Sequence, residues 1–171
     1  MMLPYFGTLD PAETTHETTV ELDGRPIRLE LSFSGPGLAS SAPQAKRLER
    51  FLGGLASHAR RAKAFLVKDL GNKQDTTVQE FLEFHLEELP PKTLARLLDA
   101  TSTLSKERQL LSKLVVERIG LDPDAKGDGF AIFDHTFEGN KLVNGRRTIT
   151  DQIIAVYLDA KGSVGHLAHE S

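Results

Sequence analysis

Three short runs in the C-terminal part of the chain decide the fold, and they are LVVERIGL at residues 114–121, FAIFD at residues 130–134 and DQIIAVYLD at residues 151–159. Each run is rich in β-branched or aromatic residues and is bounded by Gly, Pro, Asn or Asp, which is typical of β-strands. For the first run, a helix that continues to Gly120 is the alternative, because the apolar residues from Leu110 onward keep helical spacing. The stretch 113–171 therefore predicts antiparallel strands, of which the last two form a terminal hairpin.

A second β-hairpin is predicted near the N-terminus, at residues 16–34. Apolar and polar residues alternate on both sides of the dipeptide Asp23-Gly24, from Val20 to Phe33. Period-two alternation across an Asp-Gly dipeptide is a strong signal for a two-residue hairpin turn. We expect one face of this hairpin to lie on a core and the other to face water.

The segment between these strands has the spacing of helices. Apolar residues recur three and four positions apart from Leu48 to Leu70, but Gly53-Gly54 interrupts them, so the segment 42–70 is either one helix or two. Helix starts are predicted at four places, which are Ser40 or Ser41, a capping box of Thr77 and Glu80, Pro91, and Ser105. The order of strands, helices and strands indicates an α+β fold with a mainly antiparallel sheet.

The length of 171 residues fits a single domain, and residues 1–171 are predicted to form one. It would consist of N-terminal strands at 1–38, a helical segment of two to four helices at 40–112, and C-terminal strands at 113–171. With 39% hydrophobic residues, the chain can bury a sizeable core.

The composition excludes several classes of function. The net charge is −3, so the whole chain exerts no electrostatic pull on nucleic acid, and the absence of cysteine excludes disulfides and thiolate chemistry. No apolar run approaches the roughly 18 residues of a membrane span, and no signal-peptide core is present, so we expect a cytoplasmic protein without a membrane partner. No phosphate-binding or dinucleotide-binding glycine motif occurs, so we expect no cofactor.

The chain resembles the bacterial proteins grouped as domain-of-unknown-function family 2004. The resemblance extends over most of the chain and rests on six segments, which are YFGTLD at 5–10, LDG at 22–24, FHLEEL at 84–89, RIGLDP at 118–123, FAIFD at 130–134 and HES at 169–171. It implies a small soluble bacterial protein, and the family has no agreed activity or catalytic residues to carry over. The chain departs from the family pattern in the loop 138–149 and at Gly53-Gly54.

Three residues are candidates for acid–base chemistry, and they are His85, Asp134 and His135. His85 has glutamates close to it in sequence and could serve as a general base, whereas a hydrogen-bonded structural histidine is the alternative. Asp134 and His135 are consecutive on a predicted strand, so their side chains point to opposite faces and we expect no dyad between them. A hydrolase around these three residues is therefore an alternative function, and it requires at least two of them to converge.

Two other groups suggest a metal, but we predict no metal site. His166 and His169 are three residues apart on a predicted strand, which places them on opposite faces. The acidic loop 122–128 lacks the calcium-loop pattern, because Lys126 occupies its fifth position and Phe133 its twelfth.

Charge is segregated between the predicted helices, with basic residues on the first at 46–68 and acidic residues on the second. Two solvated helix faces are one interpretation. The other is a surface for an acidic partner, formed by Arg47, Arg50, Arg60, Arg61 and Lys63. A nucleic-acid accessory protein using the same helix is a weaker alternative, because no exposed aromatic residues are interleaved with the cations.

The leading hypothesis is a non-enzymatic protein-binding domain, of the adaptor or immunity-protein kind. It is motivated by the charged helical surface, by the predicted strand edges and by the lack of a coherent catalytic constellation. The strand edges also allow a homodimer.

Overall fold

The computed structural model describes residues 1–35, 42–72 and 76–171, and within them the chain forms an α+β fold with one six-stranded mixed sheet. The predicted α+β class is confirmed, but the described part of the helical segment holds five helices, and the prediction of two to four was wrong. The strands are β1 (Met2–Leu3), β2 (Gly7–Thr8), β3 (Thr15–Leu22), β4 (Arg25–Ser32), β5 (Leu114–Leu121), β6 (Ala131–Phe137), β7 (Leu142–Val143), β8 (Arg146–Arg147), β9 (Ile153–Leu158) and β10 (Val164–Glu170). The helices are α1 (Ala42–Gly53), α2 (Leu55–Leu70), α3 (Thr77–Glu88), α4 (Pro91–Leu97) and α5 (Lys106–Ser112), and a 3-10 turn spans Gly127–Phe130.

The N-terminal hairpin forms as predicted. Strands β3 and β4 are antiparallel and joined by Asp23 and Gly24, whose φ angles are 50° and 74°. Two consecutive positive φ angles are the geometry of a type I′ turn, which favours Asp-Gly because glycine tolerates this region at no cost. The burial pattern alternates along both strands, so the hairpin has one core face and one wet face.

The sheet order is β10-β9-β6-β5-β4-β3, and β4 pairs with β5 in parallel. This parallel pair departs from the antiparallel expectation. The reason is the helical segment between the two strands, because a crossover through helices returns the chain to the sheet in the same direction. Pro26 lies outside the β4–β5 register, which begins at Arg28, so its missing N–H breaks no bond of that ladder.

The helices resolve two alternatives left open by the sequence. The segment 42–70 is two helices, α1 and α2, with the break at Gly54. Helix α5 ends at Ser112 and strand β5 starts at Leu114, so the helix does not continue to Gly120.

Two of the predicted helix starts are confirmed, a third is right in position but has its cap one residue earlier than predicted, and the fourth lies outside the described residues. Helix α4 begins at Pro91, and the side chain of Ser105 accepts a hydrogen bond at the start of α5. The cap of α3 is Thr76, which accepts from the N–H of Gln79, rather than Thr77 with Glu80. Adjacent threonines offer two registers for one cap, and local spacing does not choose between them. The predicted cap at Ser40 or Ser41 falls outside the described residues.

The chain clusters into two compact units, each discontinuous in sequence. Unit 1 comprises Met1–Ala62, Val116–Asp134 and Val156–His166, and unit 2 comprises Lys63–Val115, His135–Ala155 and Leu167–Ser171. The rings of Phe51, Phe130 and Phe133 pack together in the core of unit 1. Phe81 packs against Phe137 in the core of unit 2. The single domain predicted for residues 1–171 stays a prediction.

The loop at residues 138–149 contains the small hairpin of β7 and β8. Its turn is Asn144-Gly145, with φ angles of 51° and 75°. Asn140 is buried and anchors this loop, because its Nδ2 donates to Thr136 Oγ1 and to Thr150 O, while its Oδ1 accepts from the N–H of Ile149.

Candidate functional site

Unit 1 carries a polar face on its sheet, opposite the core. Along β4 the buried Leu29 and Leu31 alternate with Arg28 and Glu30, which are less buried. Because successive side chains of a strand point to opposite faces, the charged residues of neighbouring strands meet on the side away from the core. This polar sheet face is formed by Glu17 and Glu21 of β3, Arg28, Glu30 and Ser32 of β4, Arg118 and Gly120 of β5, and Ile132 and Asp134 of β6.

A chain of ion pairs runs across the polar sheet face. Glu17 Oε2 lies 2.9 Å from Arg28 Nη2, Arg28 also contacts Glu30, and Glu30 Oε2 lies 2.9 Å from Arg118 Nη1. The chain ends at Asp134, whose Oδ2 accepts a hydrogen bond of 2.6 Å from Arg118 Nε. Charges therefore alternate in sign over four adjacent strands.

This alternation offsets a pairing that would otherwise be unfavourable. The parallel register places Arg28 beside Arg118, and like charges on adjacent strands repel. Glu30 accepts from both guanidinium groups and separates them. Burial opposes the charged form of Arg118, but the contacts with Asp134 and Glu30 outweigh it and raise the pKa of Arg118. The ion-pair chain holds both arginines in defined positions.

A small depression lies beside this chain. Its volume is about 170 Å³, and its lining residues are Glu30, Ser32, Arg118, Gly120, Leu121, Asp122, Gly129 and Ile132. A Cβ atom added at Gly120 would meet no atom within 4 Å. The missing side chain of Gly120 therefore helps to open this depression in the polar sheet face.

A histidine–carboxylate pair occurs elsewhere in unit 1. His166 Nδ1 lies 2.5 Å from Asp128 Oδ2, and the imidazole stacks on Tyr157 with ring centroids 4.1 Å apart. The hydrogen bond with His166 lowers the pKa of the Asp128 carboxyl. A carboxylate on Nδ1 that leaves Nε2 for a substrate is the arrangement of catalytic Asp–His pairs.

The first acid–base candidate from the sequence, His85, is held in internal hydrogen bonds. His85 is fully buried in unit 2, where its Nδ1 lies 2.6 Å from Phe81 O and its Nε2 lies 3.0 Å from Thr150 Oγ1. Burial lowers the pKa of His85, against the effect of the Phe81 carbonyl, and nearby His169 lowers it further. Both ring nitrogens are thus engaged in structural hydrogen bonds.

The other two candidates lie next to each other on β6. Asp134 belongs to the ion-pair chain of unit 1, and His135 is fully buried in unit 2. They point to opposite faces of the strand, as expected for consecutive residues. His166 and His169 also differ in surroundings, since His169 packs edge-on against Phe81 and Phe84.

Three of the five cations in the predicted binding surface hold the chain's own backbone. Arg61 Nη1 donates to Gly162 O at 2.5 Å, and Lys63 Nζ donates to Leu111 O and Leu114 O at 2.6 Å each. Arg47 Nη1 lies 3.5 Å from Pro123 O, and its guanidinium stands 5.2 Å from the centroid of the Phe130 ring.

Arg50 and Arg60 are exposed. Arg47 and Arg61 are exposed as well, so four of the five cations of the predicted surface can be reached by a partner.

The acidic loop 122–128 uses its carboxylates within the protein. Asp122 Oδ1 accepts from the N–H groups of Asp124 and Ala125, and Asp124 Oδ2 accepts from the N–H and hydroxyl of Ser34. In the part of the chain that the structure describes, no group of three or more acidic or histidine side chains could hold a metal ion.

The ion-pair chain and the depression were missed by sequence reasoning. Their signals were the charged residues Arg28, Glu30 and Arg118 at alternate positions of predicted strands, and a glycine inside a strand. The sequence alone does not show that β4 pairs with β5, and this pairing brings the charged residues together.

Comparisons with known proteins give no relative, since no family model, curated protein or solved structure matches the chain. The resemblance to domain-of-unknown-function family 2004 stays a prediction. Among the described residues, no helix has the length and apolar character that crossing a membrane requires.

Proposed function

We propose that this protein is a non-enzymatic protein-binding domain of the adaptor or immunity-protein kind, which acts in the cytoplasm and presents the polar sheet face to its partner. The observation that carries this proposal is the ion-pair chain, which runs across the sheet from the exposed Glu17 and Arg28 to the buried Asp134. The side chains of Glu17 and Arg28 are each 54% exposed, so a partner can reach them.

Preordered charges favour recognition for two reasons. Side chains already fixed by ion pairs lose less conformational entropy when a partner binds. An alternating pattern of charge also selects partners, because like charges that meet across an interface cost several kcal/mol. Exposed ion pairs contribute only about 0–1 kcal/mol to folding, so stability alone does not require such a chain.

The position of the candidate histidine supports a non-enzymatic function. His85 has both ring nitrogens in internal hydrogen bonds, which leaves neither to take a proton from a substrate. A hydrolase built on His85, Asp134 and His135 would need these contacts to break first.

The test is a capture experiment from bacterial lysate with a matched pair of charge reversals. Glu17→Lys reverses a charge on the polar sheet face, and Glu49→Lys makes the same change on the exposed side of α1. We expect the wild type and Glu49→Lys to retain one protein at equal stoichiometry and Glu17→Lys to lose it. Retention of that protein by Glu17→Lys, or an empty capture by the wild type, would refute the proposal.

A second candidate function is favoured by the pair of Asp128 and His166, which would make the protein a hydrolase with His166 as general base. The test is hydrolysis of a panel of nitrophenyl esters and phosphates by the wild type, His166→Asn and the control His16→Asn. General-base catalysis contributes about 10²–10⁴-fold, so His166→Asn should lose at least about 10²-fold while the control keeps its rate. Absence of hydrolysis by the wild type would remove this function.

A further inference from the structure

We propose that the depression at Gly120 receives one basic side chain, a lysine or an arginine, of the protein that binds the polar sheet face. This inference rests on the proposed protein-binding function and names the chemistry of the contact. Three observations support it: the glycine itself, the size of the depression and the charge around it.

The fold does not require a glycine at position 120. Its φ is not positive, and a Cβ atom there would meet nothing within 4 Å. Glycine in a strand interior weakens the strand, and it often marks a place where a ligand approaches the backbone closely. Neither backbone conformation nor packing explains this glycine. We therefore infer that it leaves room for a group of the partner.

The size of the depression selects a side chain over a metabolite. Pockets for drug-sized ligands have volumes of about 300–1,000 Å³, whereas this depression has about 170 Å³. Since a water molecule takes about 30 Å³ in the liquid, the space equals about five or six waters. One long side chain fills it, and a single anchor in a fitted pocket is how many protein interfaces obtain their affinity.

The charge around the depression selects a cation. The polar sheet face and the rim of the depression carry five carboxylates against two guanidinium groups, and these are Glu17, Glu21, Glu30, Asp122 and Asp134 against Arg28 and Arg118. Glu30, Asp122 and Arg118 line the depression itself. Arg118 is already paired with Glu30 and Asp134, whereas Asp122 is exposed. The methylene stem of a lysine or arginine would lie along Ile132, and its charged end would reach the carboxylates.

A pair of valine substitutions separates the depression from the rest of the face. Gly120→Val adds a side chain at the depression, where a Cβ atom meets nothing within 4 Å, and valine favours strands. Thr19→Val places the same side chain on β3, exposed on the same face but outside the depression. We expect both variants to have urea midpoints equal to or above that of the wild type.

The probes are terminally blocked Gly-Xaa-Gly peptides in which Xaa is Lys, Arg, Glu or Leu. They are titrated into the ¹⁵N-labelled protein to concentrations on the order of 10 mM, the range in which one side-chain contact is measurable. We expect the Lys or Arg peptide to shift the amide signals of Gly120, Gly129 and Ile132 in the wild type and in Thr19→Val. Gly120→Val should abolish these shifts, and it should weaken any captured protein partner at least about tenfold.

Other outcomes overturn the inference and are distinct from failure of the proposed function. If only the Glu or Leu peptide shifts these signals, or if no peptide does, the depression does not bind a basic side chain. This conclusion holds even if a partner is captured on the polar sheet face. If Gly120→Val and Thr19→Val bind a captured partner equally tightly, the depression is not the contact. The proposal that the partner binds the polar sheet face is then unaffected. If no protein is captured but the Lys or Arg peptide shifts the signals, the proposed protein partner is refuted. The depression then remains a site that binds a cationic side chain.

Discussion

Lys63 is a cation whose charge is held among carbonyl groups rather than in water. Its Nζ donates to Leu111 O and Leu114 O, where helix α5 gives way to strand β5. Burial lowers the pKa of Lys63 from 10.5 to about 8. The two carbonyls stabilise the ammonium without replacing all of its hydration, so the folded state favours the neutral amine more than the unfolded chain does.

The stability of the protein should therefore rise with pH between about 8 and 10.5. In this window the unfolded state binds more protons than the folded state, and at 1.36 kcal/mol per pKa unit the rise from Lys63 is at most about 3 kcal/mol. We expect Lys63→Met to lose this rise in urea unfolding measured at both ends of the window. The exposed Lys68 lies on the same helix, and Lys68→Met should keep the rise. An equal rise in Lys63→Met and the wild type would contradict the assignment.

His85 should make the protein labile to acid. Its pKa is lowered by burial below the ordinary 6.5, so the unfolded state takes up a proton first as the pH falls. The stability from the neutral imidazole is complete above about pH 6.5 and declines below it. We expect His85→Phe to have a shallower loss of unfolding free energy between about pH 7 and about pH 5.5 than the wild type has. His166→Asn, at an exposed histidine, serves as the comparison, and equal slopes in all three proteins would refute the role of His85.

At the scale of elements, the turn between β9 and β10 packs against α2. Gly162 has a φ of 76°, and a Cβ atom there would stand 2.1 Å from Nδ1 of the buried His58. Arg61 of the same helix donates to the carbonyl of Gly162. A side chain at position 162 would push the turn away from α2 and adopt a strained backbone at the same time.

We therefore expect Gly162→Ala to destabilise the protein by about 2 kcal/mol or more, because the left-handed conformation and the clash both oppose it. Gly53 ends α1 with nothing within 4 Å of its Cβ position, so Gly53→Ala should be neutral or stabilise by up to about 1 kcal/mol. Urea midpoints of the two variants give the comparison. A neutral Gly162→Ala would mean that the turn does not pack on His58.

The local residue pattern was sufficient to predict the elements that are determined by residues close to each other in sequence. Alternation around Asp23-Gly24 predicted the hairpin of β3 and β4, and Ser105 predicted the start of α5. The parallel pairing of β4 with β5 was not predictable in this way, because the residue pattern of a strand does not identify the strand that pairs with it. Proximity of Asp128 to His166 likewise depends on the placement of β10, which no spacing in the sequence encodes.

Several side chains of the predicted site make contacts within the fold that the sequence did not predict. The sequence shows that the first long helix is basic, but not that Arg61 and Lys63 end on backbone carbonyls. It also shows His85 beside glutamates, whereas its hydrogen bonds go to Phe81 and Thr150, the second of which lies 65 positions away in the chain. Such contacts depend on tertiary packing, which overrides any local charge pattern.

At the scale of the molecule, two surfaces compete as the binding region, namely the polar sheet face and the exposed arginines of α1 and α2. The double variant Arg50→Glu/Arg60→Glu changes only the second surface, because both residues are exposed on helices. We expect it to bind the captured partner within about threefold of the wild type, since reversal of charges outside an interface acts only through screened long-range attraction. Calorimetry with the purified partner gives the affinities.

A loss of binding in the double variant would instead assign the interface to the basic helices. The affinity of Glu17→Lys is measured in parallel. Each surface then has its own charge-reversal variant, so a loss of binding can be assigned to one of them. Nucleic acid is tested with the same proteins, and a short DNA duplex at low salt should bind none of them, as the net charge of −3 predicts.

The parallel pairing of β4 with β5 has a consequence for synthesis on the ribosome. Arg28 and its register partner Arg118 are 90 positions apart, the difference of their residue numbers. The β3–β4 hairpin can form within about 1–10 μs of its emergence, but at about 5–20 residues per second its partner strand arrives about 5–18 s later. During that interval the inner edge of β4 has no neighbour, and an unpaired edge is a template for other chains. The nascent chain is therefore most exposed to aggregation while the helical segment is being translated.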